Sequence, residues 1–444
     1  MNRRARLATL ALGLWSAVLL GSSAAGRAPG AGDGSGNWPG WRGPTGMGTT
    51  DEKDLPLTWD GKTGEGVVWK VALVGTPSDP KAATTGHSSP IVWGGRVFVT
   101  TAAKQNREQE ENKEVPEHFL LCCQAADGKE LWRTQIPQGK EPMGYAIYAV
   151  PTPVTDGQAV YAWFGSGVIA AVDFDGKLLW RQERAGPFNL NPGICQSPIL
   201  YQDTVILSCD QSRGQGWVQA LDKKTGEVKW EQKRPKTGSC NTTPVLLDVG
   251  GKTQMIAACE SALQGLDPSN GQAIWWCKSR AFGESPVAAA GLVFVNKGGN
   301  EWAMAVDPAG QGDVAATHVK WKLDKSGGDY SSPVICRIAG NPPGDYIYKV
   351  RKEGEVDCLK LATGEEVFSE RLEKVSKFAS PVATADGRVY FVSTGQSHVL
   401  KAGPKLDVIG GGKLGGGGNG SSPAVSNGRI FVRDFQFLWC LGKK

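Results

Sequence analysis

Apolar residues in this chain fall in short runs of four to six positions, each closed by glycine, proline, aspartate or serine. Gly94-Gly95-Arg96-Val97-Phe98-Val99 and Asp386-Gly387-Arg388-Val389-Tyr390-Phe391-Val392 read as a turn feeding a strand. A second unit is an apolar strand, a tight turn and a short strand reaching Trp, as in Leu221-Asp222-Lys223-Lys224-Thr225-Gly226-Glu227-Val228-Lys229-Trp230 and Leu266 through Trp275. No amphipathic helix separates these units. A Ser/Thr-Pro dipeptide followed by a small apolar residue punctuates them eight times, with prolines at 90, 153, 198, 244, 286, 333, 381 and 423. The spacings are 63, 45, 46, 42, 47, 48 and 42 residues. Four short strands per period of this length are what propeller blades require. The pattern predicts an all-β, eight-bladed β-propeller with four-stranded blades.

The two ends predict how the ring closes. Val67-Val68-Trp69-Lys70-Val71 is a strand with no blade before it, while the eighth unit runs out after three strands ending at Leu441. Pairing them satisfies both edges. Three stretches depart from the repeat and are expected to be solvated excursions. They are Lys104 to His118 with its five Glu, Pro308 to Asp313, and the glycine-rich Gly410 to Gly420, expected to be a mobile loop between blades 7 and 8.

Composition sharpens this picture. Glycine supplies 60 of 444 residues, consistent with many tight turns. Arg3, Arg4 and Arg6 precede the apolar run Leu7 to Leu20 and the small residues Gly21 to Ala25, the pattern of a cleaved export signal. The run is too short to span a bilayer. Residues 1–25 are therefore read as a signal peptide, 26–58 as a Gly/Pro-rich segment and 59–444 as the propeller. No Cys occurs before Cys122, so no lipid-attachment cysteine follows the signal, and a periplasmic or secreted protein is expected. The formal charge of +5 includes those three arginines; the remaining near-balance offers no basic face for nucleic acid.

The Ser-Pro-Val and Gly-Arg-Val-Phe-Val units, with the Leu-Asp-x-x-Thr-Gly-x-x-x-Trp unit, resemble the repeats of PQQ-binding-like β-propellers. That superfamily includes quinoprotein alcohol dehydrogenases and the assembly factor BamB. Trp38-Pro39-Gly40-Trp41-Arg42-Gly43-Pro44, Gly86-His87-Ser88-Ser89-Pro90 and Thr317-His318-Val319-Lys320-Trp321 resemble a bacterial exported subfamily of PQQ-like repeat proteins. The resemblance runs from about residue 37 to 444 and concerns residues that build the blades.

Segments leading into the first strand of each blade ring the channel, so the residues just before each proline are where a ligand would be met. A quinone dehydrogenase site needs an aromatic platform, a calcium ion held by carboxylate and amide oxygens, a cation on the quinone oxygen and a carboxylate base. Asn241, Glu284, Asp329, Tyr330 and Lys377 supply those residue types at this rim. They are the candidate cofactor-binding residues, with PQQ and calcium as the implied cofactor. The long covering insertions of such dehydrogenases are absent.

No catalytic or metal-ligating set emerges elsewhere. The four histidines lie outside metal-ligand spacing, Gly61-Lys62-Thr63 and Gly251-Lys252-Thr253 lack the first glycine of a phosphate loop, and no Gly-x-Ser-x-Gly elbow occurs. Counted back from the turn glycines, Cys122 and Cys123 replace Ala220 and Leu221, so they are read as buried packing thiols, while a pair among Cys195, Cys209, Cys240 and Cys259 stays open. The expected function is a monomeric exported scaffold binding protein, peptide or glycan on a propeller face, without a cofactor. The alternative is a PQQ- and calcium-dependent oxidoreductase, or a relic of one, working at the rim.

Overall fold

A computed structural model describes residues 36–443 apart from 74, 76–82, 141–147, 185–193, 212–215, 235–237, 239, 282, 297–302, 325, 329, 339–342, 352 and 417–419. The export-signal reading and Asp329 therefore lie outside the described residues. Eight antiparallel sheets follow one another along the chain, each built on four strands. In blade 2, for example, Val154–Thr155, Ala159–Trp163, Val168–Asp173 and Leu178–Glu183 run from the channel outward. The molecule is a β-propeller.

The Ser/Thr-Pro repeat shows why a hydroxyl residue precedes each proline. The Ser89 backbone N–H donates to Thr152 Oγ1 in the next blade at 2.9 Å, and Thr152 N–H donates onward to Ser197 Oγ at 3.0 Å. The chain of bonds continues through Thr243, Ser285, Ser332, Ser380 and Ser422. Ser422 N–H then donates to Ser89 Oγ at 2.9 Å, closing the circle. Each blade gives one donor and one acceptor. Proline leaves this geometry with a fixed φ and no competing N–H.

A second device docks neighbouring blades at the rim. Five of the fourth-strand Trp residues (69, 132, 180, 230 and 321) cover the turn glycine of the following blade, so a Cβ at Gly128 would lie 2.8 Å from the Trp69 ring, and one at Gly176 2.9 Å from Trp132. These glycines also have positive φ, 78° and 88°, so the turn and the stacking both call for glycine. The indoles of Trp69, Trp132, Trp180 and Trp321 donate to carbonyls of the neighbouring turn. Opposite the Trp stands a small residue: Cys122 faces Trp132, Ala171 faces Trp180, Ala220 faces Trp230 and Gly265 faces Trp275. This explains the buried Cys122; Cys123 packs on the other face, against Trp69 and Leu121, and burial pushes both thiols up to about 12. All ten cysteines are free, including the four left open above.

Closure matches the expectation from the ends. Val67–Ala72 pairs antiparallel with Phe437–Leu441 and completes blade 8. Two expectations are corrected. The glycine stretch is not simply a loop: Val408–Lys413 is the outer strand of blade 7, and Thr58–Asp60 pairs with it in parallel. A side chain at Gly410 or Gly412 would collide with the backbone of Leu57 or Trp59, so the glycines admit this close approach. The blade 5 insertion is also no solvated excursion. Gly312–Asp313 pairs in parallel with the outer strand of blade 4, and the Val314 side chain is fully buried beside it.

Removing residues 59–73 strips blade 8 of a strand that carries Trp69. The truncated protein is expected to unfold or aggregate rather than lose a tail. A monomer with unchanged melting temperature would contradict this closure.

Candidate functional site

The bore of the ring is occupied from one end by the chain itself. Trp38 pairs with Val92 of blade 1 through two backbone hydrogen bonds of 2.7 and 2.9 Å, and Pro39 O accepts from Thr155 N of blade 2 at 2.8 Å. Further on, Thr49–Thr50 lies parallel to Val382–Thr384, the inner strand of blade 7. Between these anchors Arg42 reaches into the bore and donates to Pro333 O at 2.6 Å and Pro381 O at 3.4 Å, carbonyls of two repeat prolines. Its side chain is fully buried. Burial pushes its pKa down to about 9, and the negative charge of Glu284 pushes it back up.

Glu284 is accordingly an internal residue, 1% exposed. Both of its oxygens accept from Asn296 Nδ2, at 2.9 and 2.8 Å, and that amide also donates to Gly327 O at 2.8 Å. A Cβ at Gly328 would run into the carboxylate. The same polar seam continues into blade 6, where Lys349 donates to Gly327 O at 2.9 Å and pairs with buried Asp357 at 2.8 Å. The other residues two before the proline are buried in the same way. Ser88 donates to Thr100 O, and Ser331 to Ala379 O.

The end of the ring where the chain enters the first strand of each blade carries different chemistry. Tyr330 stacks on Phe378 with ring centroids 5.5 Å apart and planes 17° apart, and Phe378 is 50% exposed. Lys377 precedes Phe378, and its carbonyl accepts from Tyr330 N–H and Ser331 N–H. Gly420 sits between Phe378 and His87, and its N–H donates to His87 Nδ1 at 3.1 Å. The His87 ring meets Phe435 edge-on at 4.8 Å. Blades 6, 7, 8 and 1 thus present an aromatic arc around the mouth. His87 is held neutral: burial, and secondly the Arg433 charge, lower its pKa to about 4. Asn241, across the mouth, is half-buried, and its Oδ1 has no hydrogen-bond partner among the described residues.

The rim candidates therefore separate. Tyr330 and Lys377 come together with Phe378; Glu284 is drawn inward to Asn296 and the charge of Arg42; Asn241 stands apart. Among the described residues no three His, Cys, Asp or Glu side chains gather as a metal-binding group. Glu284 does not fit the role of a calcium ligand at the mouth, because a guanidinium and an amide of the chain already face it. Sequence reasoning did not select Arg42, Phe378 or Phe435 as site residues. The Trp-Pro-Gly-Trp-Arg-Gly-Pro motif was visible, but its insertion into the bore has no local signature.

The family described as "Outer membrane protein assembly factor BamB" matches residues 119–280 and 215–336. The chain is a PQQ-like, BamB-like β-propeller protein. No curated protein sequence matches it. Among solved structures, BamB from Moraxella catarrhalis is similar at a TM-score of 0.58 and 14% identity, covering 85% of this chain and 97% of that one. Quinohemoprotein alcohol dehydrogenase from Comamonas testosteroni is similar at 0.62 and 13%, covering 92% and 81%. A europium-containing methanol dehydrogenase is similar at 0.52 and 13%, covering 89% of each chain. At these identities the likeness concerns the fold.

Two predictions follow from the buried groups. Glu284→Gln removes a negative charge that raises the pKa of buried Arg42 and should destabilise the fold, with part of that recovered when Arg42→Met is added. Additive losses in a denaturant double-mutant cycle would disprove the coupling. His87 (about 4) and His118 (about 3, lowered first by burial) titrate below the 6.5 of the unfolded chain. The unfolded state then binds more protons, so both contributions are complete above pH 6.5 and shrink as the pH falls toward 4. The slope of stability against pH in that window should fall by roughly 1.4 kcal/mol per pH unit in each of His87→Gln and His118→Gln. Unchanged slopes would remove the assignment.

Proposed function

We propose that this protein is an exported, periplasmic binding propeller that holds a protein, peptide or glycan partner at its channel mouth. Residues 1–25 act as its signal peptide, and the mature chain works as a monomer. No described helix is long and apolar enough to cross a membrane. The carrying observation is the half-exposed Phe378, stacked on Tyr330 and joined through Gly420 to His87 and Phe435, at the end of the bore opposite the plug. Aromatic faces fixed at a rim give large contact area at little entropic cost, which suits recognition of peptides and sugar rings. The similarity to BamB, an assembly factor by its family description, supports a protein partner.

A quinone-dependent oxidoreductase is the second reading, favoured by the unpartnered Asn241 Oδ1 and the flat Tyr330–Phe378 pair. PQQ with calcium would then meet Asn241, Tyr330 and Lys377, with the buried Glu284 beneath them and Asp329 in a position outside the described residues. One experiment separates the two readings. Calorimetric titration with PQQ and Ca²⁺ is expected to give no heat, and Phe378→Ala is expected to weaken capture of a native partner by roughly tenfold or more without lowering the melting temperature. Heat from PQQ with a bound-quinone absorbance would overturn the scaffold reading.

A further inference from the structure

Cys240 stands in the segment leading into blade 4, and Cys259 directly follows that blade's second strand, Lys252–Ala258. The two stretches run side by side. Cys240 Sγ donates at 3.0 Å to Ala258 O, the carbonyl bonded to the Cys259 nitrogen, and Thr242 Oγ1 donates to the same oxygen. A Cβ at Gly238 would lie 2.9 Å from Glu260 Cβ, so the contact extends past both cysteines. Cys259 Sγ in turn donates to Ala262 O at 3.3 Å. Both thiols are fully buried, and with Ala262 they form a small cluster of their own, apart from the cores that join the blades. Arg234, held by Asp210 and Gln264, is electrostatically coupled to both sulfurs, so they face one polar centre. Other cysteines are placed differently: Cys122 and Cys358 stand opposite Trp132 and Phe368 in strand pairs and fill packing positions.

We propose that Cys240 and Cys259 are joined as a disulfide in the exported protein, a cross-link that closes the first two strands of blade 4 into one loop. The proposal rests on the export reading above, because disulfides form and persist in oxidising compartments. The loop contains Val245–Val249 and Lys252–Ala258, and the cross-link ties down Asn241, the residue after Cys240, at the mouth. The oxidant is a disulfide, carried by a dithiol oxidoreductase or by glutathione. One cysteine thiolate attacks it, forming a mixed disulfide and releasing one of its sulfurs as a thiol. The second cysteine thiolate then attacks the protein sulfur of the mixed disulfide, closing the cross-link and releasing the other sulfur. The chain gives up two protons and two electrons, and the oxidant becomes two thiols. Burial raises both cysteines above the ordinary thiol range, and the thiolate is the form that exchanges. The exchange therefore belongs to folding, before blade 4 packs, and the finished bond is shielded from reductants.

The test takes the chain in two preparations. One is recovered from bacteria after synthesis with residues 1–25; the other is made without them and refolded from denaturant in a glutathione redox buffer. Free thiols are counted in denaturant with dithionitrobenzoate, and tryptic peptides are mapped by mass spectrometry without reduction. Trypsin yields peptide 237–252 with Cys240 and peptide 253–278 with Cys259 and Cys277. The expected result in both preparations is eight thiols, ten less the joined pair, and a linked species lighter than the summed peptides by two hydrogens. The linkage should persist in Cys277→Ser and vanish in Cys259→Ser. Refolding under dithiothreitol should lower the melting temperature of the wild type and leave that of Cys240→Ser/Cys259→Ser unchanged. Ten thiols in the refolded protein, or a linkage that survives Cys259→Ser, would overturn the pairing. So would ten thiols in recovered protein from which residues 1–25 have been removed. Ten thiols only in recovered protein that retains residues 1–25 would overturn the export reading instead, with the pairing standing on the refolded protein.

Discussion

One circle of eight hydrogen bonds holds the rest of this structure in place. A propeller has no core common to all its blades; each blade packs only against its neighbours, so an error in one angle accumulates around the ring. The Ser/Thr hydroxyls accept from the backbone of the preceding blade, and the last bond returns to Ser89. Closing the circle sets a single spacing for all eight blades. Neutral bonds of this kind are each modest, on the order of 1 kcal/mol net. Their effect is cooperative because breaking one leaves a buried N–H of the preceding blade without an acceptor.

The tryptophan stacks work at larger radius and depend on that inner circle. Trp69, Trp132, Trp180, Trp230 and Trp321 each lie over a glycine of the following blade. Where blade 5 lacks the tight turn, Trp275 turns to Gln254 of its own blade at 2.7 Å, and the inserted Gly312–Asp313 covers the edge instead. Loss of one docking element is thus compensated by another within the same pair of blades.

Charge in the bore follows the same inward logic. A buried carboxylate in blade 5 and a buried guanidinium from the N-terminal segment sit near the centre of the ring, each costly alone and tolerable together. Glu284 is tied to Asn296, and Arg42 to the repeat prolines of blades 6 and 7. The plug thereby couples the N-terminal segment to blades far from it in sequence. At the opposite end the polar positions have turned inward, leaving Phe378, Tyr330, His87 and Phe435 as the chemistry offered to solvent.

The repeat, the β class, the ring closure and the packing role of Cys122 and Cys123 were legible in the order of residues, because strand period, turn glycines and punctuating prolines are local signals. Tyr330 and Lys377 could also be assigned to the rim by counting back from the prolines. What counting could not supply was direction. A residue two positions before a proline can face the channel or fold back onto its own second strand. Only packing sends Glu284 to Asn296 rather than to a ligand. Gly410 to Gly412 read as a loop because glycine alone signals freedom; the strand is imposed by Leu57 and Trp59, some 350 residues earlier. The motif around Arg42 was conspicuous as a string of residues, yet its place in the bore depends on contacts with inner strands spread over the whole ring. Sequence by itself determined the blades and their closure, since those rest on neighbouring residues; tertiary structure decided which polar groups reach solvent, since that rests on charges and volumes brought together from distant blades.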